Sequence, residues 1–222
     1  MKDTSMQENK TASFFDSYSL DFNAIYGSGT GFFQRLINKW FRQTMLIRFQ
    51  KTIAACKPLE GKTILDVGCG PGIYTVTLAK GSPDFVVGID FAPSMIQIAR
   101  QEAKKAGVED ICRFEIADFH SLPEDKQYNY LILMGFMDYI KNPQQIIEKT
   151  MRLASDKVLF SFPSDKGFLA WQRKIRYKFK CPLYLYNDKQ LQQLFSDISP
   201  WQYTIENIGR DFFVTLKKEE NI

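Results

Sequence analysis

The chain has 222 residues, 45% of them hydrophobic and 24% charged, with a formal net charge of +4; that is enough for one α/β domain with additions, and it excludes a disordered, collagen-like or low-complexity protein. Apolar runs are short and broken by charge, well under the roughly 18 residues of a spanning helix, and no apolar stretch follows Met1-Lys2-Asp3-Thr4-Ser5, so a cytoplasmic protein is expected. Cys56, Cys69, Cys112 and Cys181 are scattered with only His120 to join them, so no metal site is expected, and the charge excess is too small to argue for nucleic acid.

Residues 1–13 are polar and read as a frayed terminus. Residues 14–31, FFDSYSLDFNAIYGSGTG, carry many aromatics and close on alternating glycines, which predicts a short helix and then a loop. From Phe32 to Cys56 apolar residues recur at helical spacing, with Arg35, Lys39, Arg42, Arg48 and Lys51 between them, the pattern of a long basic amphipathic helix. Residues 1–57 are therefore read as an amino-terminal helical and aromatic lid, and 58–222 as a core domain with an insertion around 164–187.

Beyond Pro58, strand-like runs at 63–67, 85–89, 111–116, 130–134 and 158–162 alternate with helix-compatible segments at about 72–80, 93–106 and 143–154. Pro93 and Pro143 sit where first-turn prolines belong. Near-continuous apolar strands separated by helices predict a parallel sheet covered on both faces. A basic stretch follows at 171–180, and Asn187-Asp188 is placed to cap a helix running to about Phe195. Two last strand-like runs, 201–208 and 212–216, are joined so closely by Gly209-Arg210-Asp211 that they require an antiparallel hairpin.

The chemistry-bearing stretch is Ile64-Leu65-Asp66-Val67-Gly68-Cys69-Gly70-Pro71-Gly72, an apolar strand that runs into three alternate glycines and then a helix. Glycines here let backbone approach a ligand closely at the carboxyl end of a first strand. Eighteen residues past Gly72, Asp90 ends the second strand, where a carboxylate can accept hydrogen bonds from ribose hydroxyls. The dinucleotide pattern G-x-G-x-x-G needs glycine at position 73, and the chain has Ile73, so a nicotinamide-dependent reductase is disfavoured. The loop carries Asp66 and no basic residue before Lys80, which suits a ligand with an ammonium and a sulfonium better than a pyrophosphate.

These residues resemble the class I S-adenosylmethionine-dependent methyltransferases, whose first motif is an acidic residue followed by G-x-G-x-G, here Asp66 to Gly72. The resemblance covers roughly residues 58–162. It implies a Rossmann-like methyltransferase fold: a seven-stranded, mostly parallel α/β sheet with a terminal antiparallel hairpin and helices on both faces. It also implies S-adenosyl-L-methionine as cofactor, bound by Asp66, directly or through water, and by Gly68, Cys69, Gly70 and Gly72. In the same reading Asp90 grips the ribose, Asp118 the adenine amino group and Phe119 the adenine through its backbone N–H. Phe91 and Met95 pack on the adenine, and Met134-Gly135 faces the methionine portion. A further similarity in layout, carried by Phe22-Asn23-Ala24-Ile25-Tyr26-Gly27, Ser161-Phe162-Pro163, Trp171 and Tyr184-Leu185-Tyr186, is to the magnesium-protoporphyrin O-methyltransferases, from which the first helix departs in detail.

The implied reaction is methyl transfer to a small or lipid-like molecule, at oxygen. A carboxylate acceptor is already ionised at pH 7, whereas a phenol or alcohol needs a general base. His120, Asp138 and Tyr139 are the candidates for acceptor-side catalysis, and Tyr18, Tyr26 and Trp171 for substrate contact. Each has a plainer reading, as a solvated or core residue. The basic run Arg173 to Lys180 is either a solvated face or a contact for an acidic acceptor or an anionic membrane surface. No N-P-P-Y type motif follows the fourth strand, which disfavours nucleic-acid methylation. A non-catalytic, cofactor-binding partner subunit of the same fold stays open.

Overall fold

The computed structural model describes residues 32–166 and 183–219. It opens with the long helix that the periodicity predicts, α1 (Phe32–Ala55), followed by β1 (Thr63–Val67), α2 (Ile73–Ala79), β2 (Phe85–Asp90), α3 (Pro93–Ala106) and β3 (Cys112–Ile116). Next come β4 (Tyr128–Leu133), α4 (Pro143–Leu153), β5 (Ala154–Pro163), α5 (Asp188–Leu194), β6 (Trp201–Asn207) and β7 (Asp211–Lys218), with short 3-10 turns at Phe119–Ser121 and Met137–Tyr139. One sheet takes all seven strands in the order β3-β2-β1-β4-β5-β7-β6. The first five are mutually parallel, β7 runs antiparallel to β5, and β6 pairs antiparallel with β7.

Two apolar layers explain why the strands read as nearly continuous hydrophobic runs. Side chains alternate across a strand, so Leu65, Val67, Leu131, Leu133, Val158, Phe160 and Phe162 fall in one layer, packed with Ile146, Ile147 and Leu153 of α4 and with Leu191 of α5. Ile64, Val86, Tyr130, Ile132 and Leu159 fall in the other, packed with Val76 and Leu78 of α2 and with Ile96, Ala99 and Ala103 of α3. The alternation places Asp66 on this second face, where α2 supplies its partner. In the first layer the rings of Phe160, Phe162 and Phe195 meet at 5.6 to 6.1 Å, and each contributes about 1.5–3 kcal/mol by leaving water.

Asn187 caps α5 as its position predicts: its side chain accepts from the Gln190 N–H at 3.0 Å while the Gln190 side chain accepts from the Asn187 N–H at 3.0 Å, a capping box. The fifth strand is longer than its apolar run, starting at Ala154 directly after α4. Its first residues are polar and belong to the strand because their side chains are satisfied there. Lys62 Nζ donates to Asp156 Oδ2 at 2.7 Å, Asn129 Nδ2 reaches Ser155 and Asp156, and Lys157 Nζ donates to the carbonyls of Ala55 and Lys57 at the end of α1. A charged side chain there also complements the negative end of the helix dipole. No helix among the described residues is long and apolar enough to cross a membrane.

Candidate active site

After β1 the chain moves outward to β2 and β3, whereas the strand on the other side of β1 is β4. Connections that leave β1 and β4 therefore diverge and open a crevice at the carboxyl ends of the strands. The glycine turn lies in this crevice. The N–H groups of Gly68 and Cys69 both donate to the carbonyl of Ile89 at 2.9 Å, which pins the turn to β2. Two of its glycines serve different purposes. Gly72 has φ +80, and a Cβ there would stand 2.9 Å from the Ala99 Cβ, so it lets α2 pack closely on α3. Gly70 has φ +52, and no described residue lies within 4 Å of where its Cβ would be; among the described residues the turn is open to a ligand on that side.

Two carboxylates lie against this turn. Asp90 Oδ2 accepts from the Gly70 N–H and Oδ1 from the Ala92 N–H, both at 2.9 Å, so one side chain ties the glycine turn to the start of α3. Asp66 is 2% exposed and accepts from Thr75 Oγ1 at 2.6 Å. Burial pushes its carboxyl up to about 7, against the opposing hydrogen bonds from Thr75, with the Asp90 charge adding to the rise. Beside them the Cys69 thiol is driven strongly upward by burial, so it is no nucleophile. No lysine or arginine occurs from Asp66 to Ala79. An open turn above two acidic groups fits a ligand that brings positive charge, such as the ammonium and sulfonium of S-adenosylmethionine, and does not fit a pyrophosphate.

At the ends of β2 and β3 the predicted adenine-side residues come together in the fold but differ in exposure. Phe91 is half-buried and Met95, in the first turn of α3, is buried. Asp118 Oδ1 accepts from the His120 N–H at 3.1 Å and so caps the 3-10 turn that follows. The Phe119 ring is buried against Phe136 at 6.1 Å, which leaves only its backbone to meet a ligand. His120 is exposed, and its carbonyl accepts from Lys149 Nζ at 2.8 Å.

Beyond β4, Met134 is buried and Gly135 turns the chain with φ +76 into the 3-10 turn that holds Asp138, buried, and Tyr139, half-buried. The Asp138 carbonyl accepts from the Tyr184 N–H at 2.9 Å, which brings the segment after the insertion alongside. Burial, then the Asp138 charge, push the Tyr186 phenol up. Tyr18, Tyr26 and Trp171, the expected substrate contacts, and the basic run 173–180 lie outside the described residues.

Sequence reasoning gave no role to Arg48 of α1, which lies against the Gly135 turn. It is 6% exposed and forms an ion pair with Asp211 at 3.2 Å. Its Nε donates to the Tyr74 hydroxyl at 3.3 Å and its Nη1 to Ser161 Oγ at 3.4 Å. Burial alone lowers its pKa, but Tyr74, Asp211 and Asp138 together outweigh that and hold it above the ordinary value. The available signal was a basic residue on the apolar-periodic helix; its partners lie up to 163 positions away.

Sheet order, switch-point crevice and glycine turn define a class I methyltransferase architecture. Residues 58–193 match the methyltransferase domain family, and the chain belongs to it. Ubiquinone biosynthesis O-methyltransferase of Klebsiella pneumoniae is 30% identical over 115 residues, which are 51% of this chain and 47% of that protein. The Pasteurella multocida enzyme of the same name is 29% identical over 123 residues, 51% of this chain and 50% of that one. The chain thus matches about half the length of these relatives. Among solved structures, magnesium protoporphyrin IX methyltransferase from Synechocystis PCC 6803 with bound S-adenosylhomocysteine superposes with a TM-score of 0.73 at 21% identity, covering 96% of this chain and 100% of that one.

Proposed function

We propose that the protein transfers a methyl group from S-adenosyl-L-methionine to oxygen on a small or lipid-like molecule. The observation that carries this reading is the open glycine turn clamped by Asp90 above the buried Asp66. The O-methyltransferases that align with the core support oxygen as the acceptor atom and a lipid-like acceptor. The donor, when bound, supplies an electrophilic methyl on a sulfonium.

The chain's own residues bind and orient. Asp90 would receive the ribose hydroxyls; a carboxylate has about four lone-pair sites, so two backbone donors are compatible with sugar hydroxyls as further donors. Asp118 and the Phe119 N–H would meet the adenine, Phe91 and Met95 would flank it, and Asp66, Gly68, Cys69, Gly70 and Gly72 would hold the amino-acid end, which Met134 and Gly135 also face. Asp138, Tyr139 and His120 are the acceptor-side candidates, and a hydroxyl acceptor would give its proton to one of them. Much of the rate comes from placing the acceptor oxygen in line with the sulfur–methyl bond and excluding water. Residues 1–57 act as the lid and 58–222 as the core in this reading, with Tyr18, Tyr26 and Trp171 as acceptor contacts.

The test is to incubate the full chain with methyl-labelled donor and, in parallel, hydroxylated and carboxylated aromatic molecules that carry an apolar tail. Label in an alkali-stable ether is expected. Label in an alkali-labile ester would move the acceptor to a carboxylate, and absence of donor retention in equilibrium dialysis would overturn the reading.

A further inference from the structure

Arg48 reaches the carboxyl end of the sheet from α1, and its guanidinium joins segments that are far apart in the chain. Besides Asp211, Ser161 and Tyr74, its Nη2 donates to Met45 Sδ at 3.0 Å. The Gly135 turn rests on it: a Cβ at Gly135 would stand 3.7 Å from both Nη1 and Nη2. Ser161 Oγ, which accepts from Arg48, also accepts from the Gly135 N–H at 2.7 Å. On the other side Tyr74 follows Gly72 by two residues, at the start of α2. One cation therefore fixes both walls of the crevice, the turn after β4 and the helix after the glycine turn.

A buried ion pair is a poor source of stability compared with apolar packing, so its presence calls for a geometric reason. The electrostatics are also unexpected. The crevice is suited to a cationic ligand, yet a guanidinium is placed behind one of its walls. Asp211, 4% exposed, resolves the conflict by cancelling that charge at 3.2 Å.

We propose that Arg48 is a positioning residue for the reactive end of the methyl donor, holding Gly135 and Tyr74 in register, and that Asp211 makes it tolerable beside a sulfonium by neutralising it. This rests on the methyl-donor reading. It predicts discrimination between S-adenosylmethionine, whose sulfur is cationic, and S-adenosylhomocysteine, whose sulfur is a neutral thioether. Changing the net charge behind Gly135 alters affinity for the first more than for the second, whereas simple damage to the fold weakens both alike.

The experiment is calorimetric titration of the full-length protein with each compound, and the readout is the ratio of the two affinities. Asp211→Asn removes the carboxylate paired with Arg48, leaving only the weaker influence of Asp138, and is expected to lower the preference for S-adenosylmethionine at least fivefold. Arg48→Met removes the guanidinium paired with Asp211 and raises the preference by a similar factor while weakening both compounds. The double variant returns the ratio to within twofold of wild type, and Arg48→Lys, which keeps the charge, leaves the ratio unchanged. If Asp211→Asn shows no cooperative thermal transition, the opposite shift expected for Arg48→Met decides the matter. A ratio constant within twofold in every folded variant overturns the proposal and leaves the donor reading intact. A wild-type protein that binds neither compound overturns both.

Discussion

Asp66→Asn tests the electrostatic character of the crevice without a methyl acceptor. The wild-type carboxyl stands at about 7 in the folded protein against an ordinary 3.8. A folded-state value above the unfolded one means that the native state holds its proton more tightly. Below pH 3.8 both states are protonated and the group has no effect on stability. Between 3.8 and about 7 the unfolded chain ionises first, so stability falls as pH rises, and above about 7 the loss is complete. At about 1.36 kcal/mol per pH unit the loss amounts to about 4 kcal/mol, an upper figure for a carboxyl that keeps its hydrogen bond from Thr75 in either form. Asparagine preserves that acceptor and cannot ionise. Urea unfolding at pH 4 and pH 8 is therefore expected to show the variant close to wild type at the lower pH and more stable by up to about 4 kcal/mol at the higher. Donor affinity should move the other way, because a cation favours the ionised carboxyl: wild-type binding of S-adenosylmethionine tightens from pH 6 to pH 8, and the variant's stays flat. A stability difference between the two proteins that is the same at both pH values would refute this account of Asp66.

Three further outcomes follow from the same geometry. Asp90→Ala removes the acceptor for the Gly70 and Ala92 N–H groups and is expected to weaken S-adenosylhomocysteine binding by about 1–3 kcal/mol, read by calorimetry; unchanged affinity removes the ribose assignment. Gly72→Ala and Gly70→Ala share the left-handed backbone, which costs about 1–2 kcal/mol for a residue with a Cβ. Only Gly72 adds the 2.9 Å approach to Ala99, worth about 1–3 kcal/mol more as overpacking, so its thermal midpoint must drop further, and equal drops would mean that the close approach relaxes freely. Phe162→Ala, in the fully buried ring cluster with Phe160 and Phe195, is expected to lose about 3–5 kcal/mol in urea unfolding, and a loss under about 1 kcal/mol would mean that the layer is not packed as described.

The elements of the core were legible because each depends on neighbours in the chain. Pro93 and Pro143 open α3 and α4, Asn187 caps α5, and the apolar runs at 63–67 and 85–89 become β1 and β2. Legibility ended where polar groups replace apolar ones inside regular structure. The start of β5 at Ala154 falls in sequence at the end of the helix-compatible segment 143–154, and the polar residues that follow join the strand because Asn129 and Lys62 satisfy Ser155 and Asp156. The glycine turn belongs to the legible class, since three alternate glycines before a helix state a backbone requirement whatever folds around them.

The end of the sheet around the Gly135 turn is a different kind of object, and Arg48 shows why. In the sequence it is one of five basic residues spaced along an amphipathic helix, where a charge is ordinarily a solvated face. What sets it apart is that the face of the sheet it meets carries Ser161 and Asp211, from strands 113 and 163 positions further on, both on the side that alternation assigns to Leu159 and Phe213. Neither serine nor aspartate would be placed on that side of β5 or β7 by apolar patterning, because each is a polar residue directed toward a helix. The arginine and the aspartate account for each other as an ion pair at 3.2 Å. A buried charge is tolerable when paired and hydrogen-bonded, so one unexplained arginine on α1 and one unexplained aspartate at the start of β7 become a single explained pair once the sheet order places β5 beside β7. It is the topology, rather than any local motif, that brings this cation to the crevice.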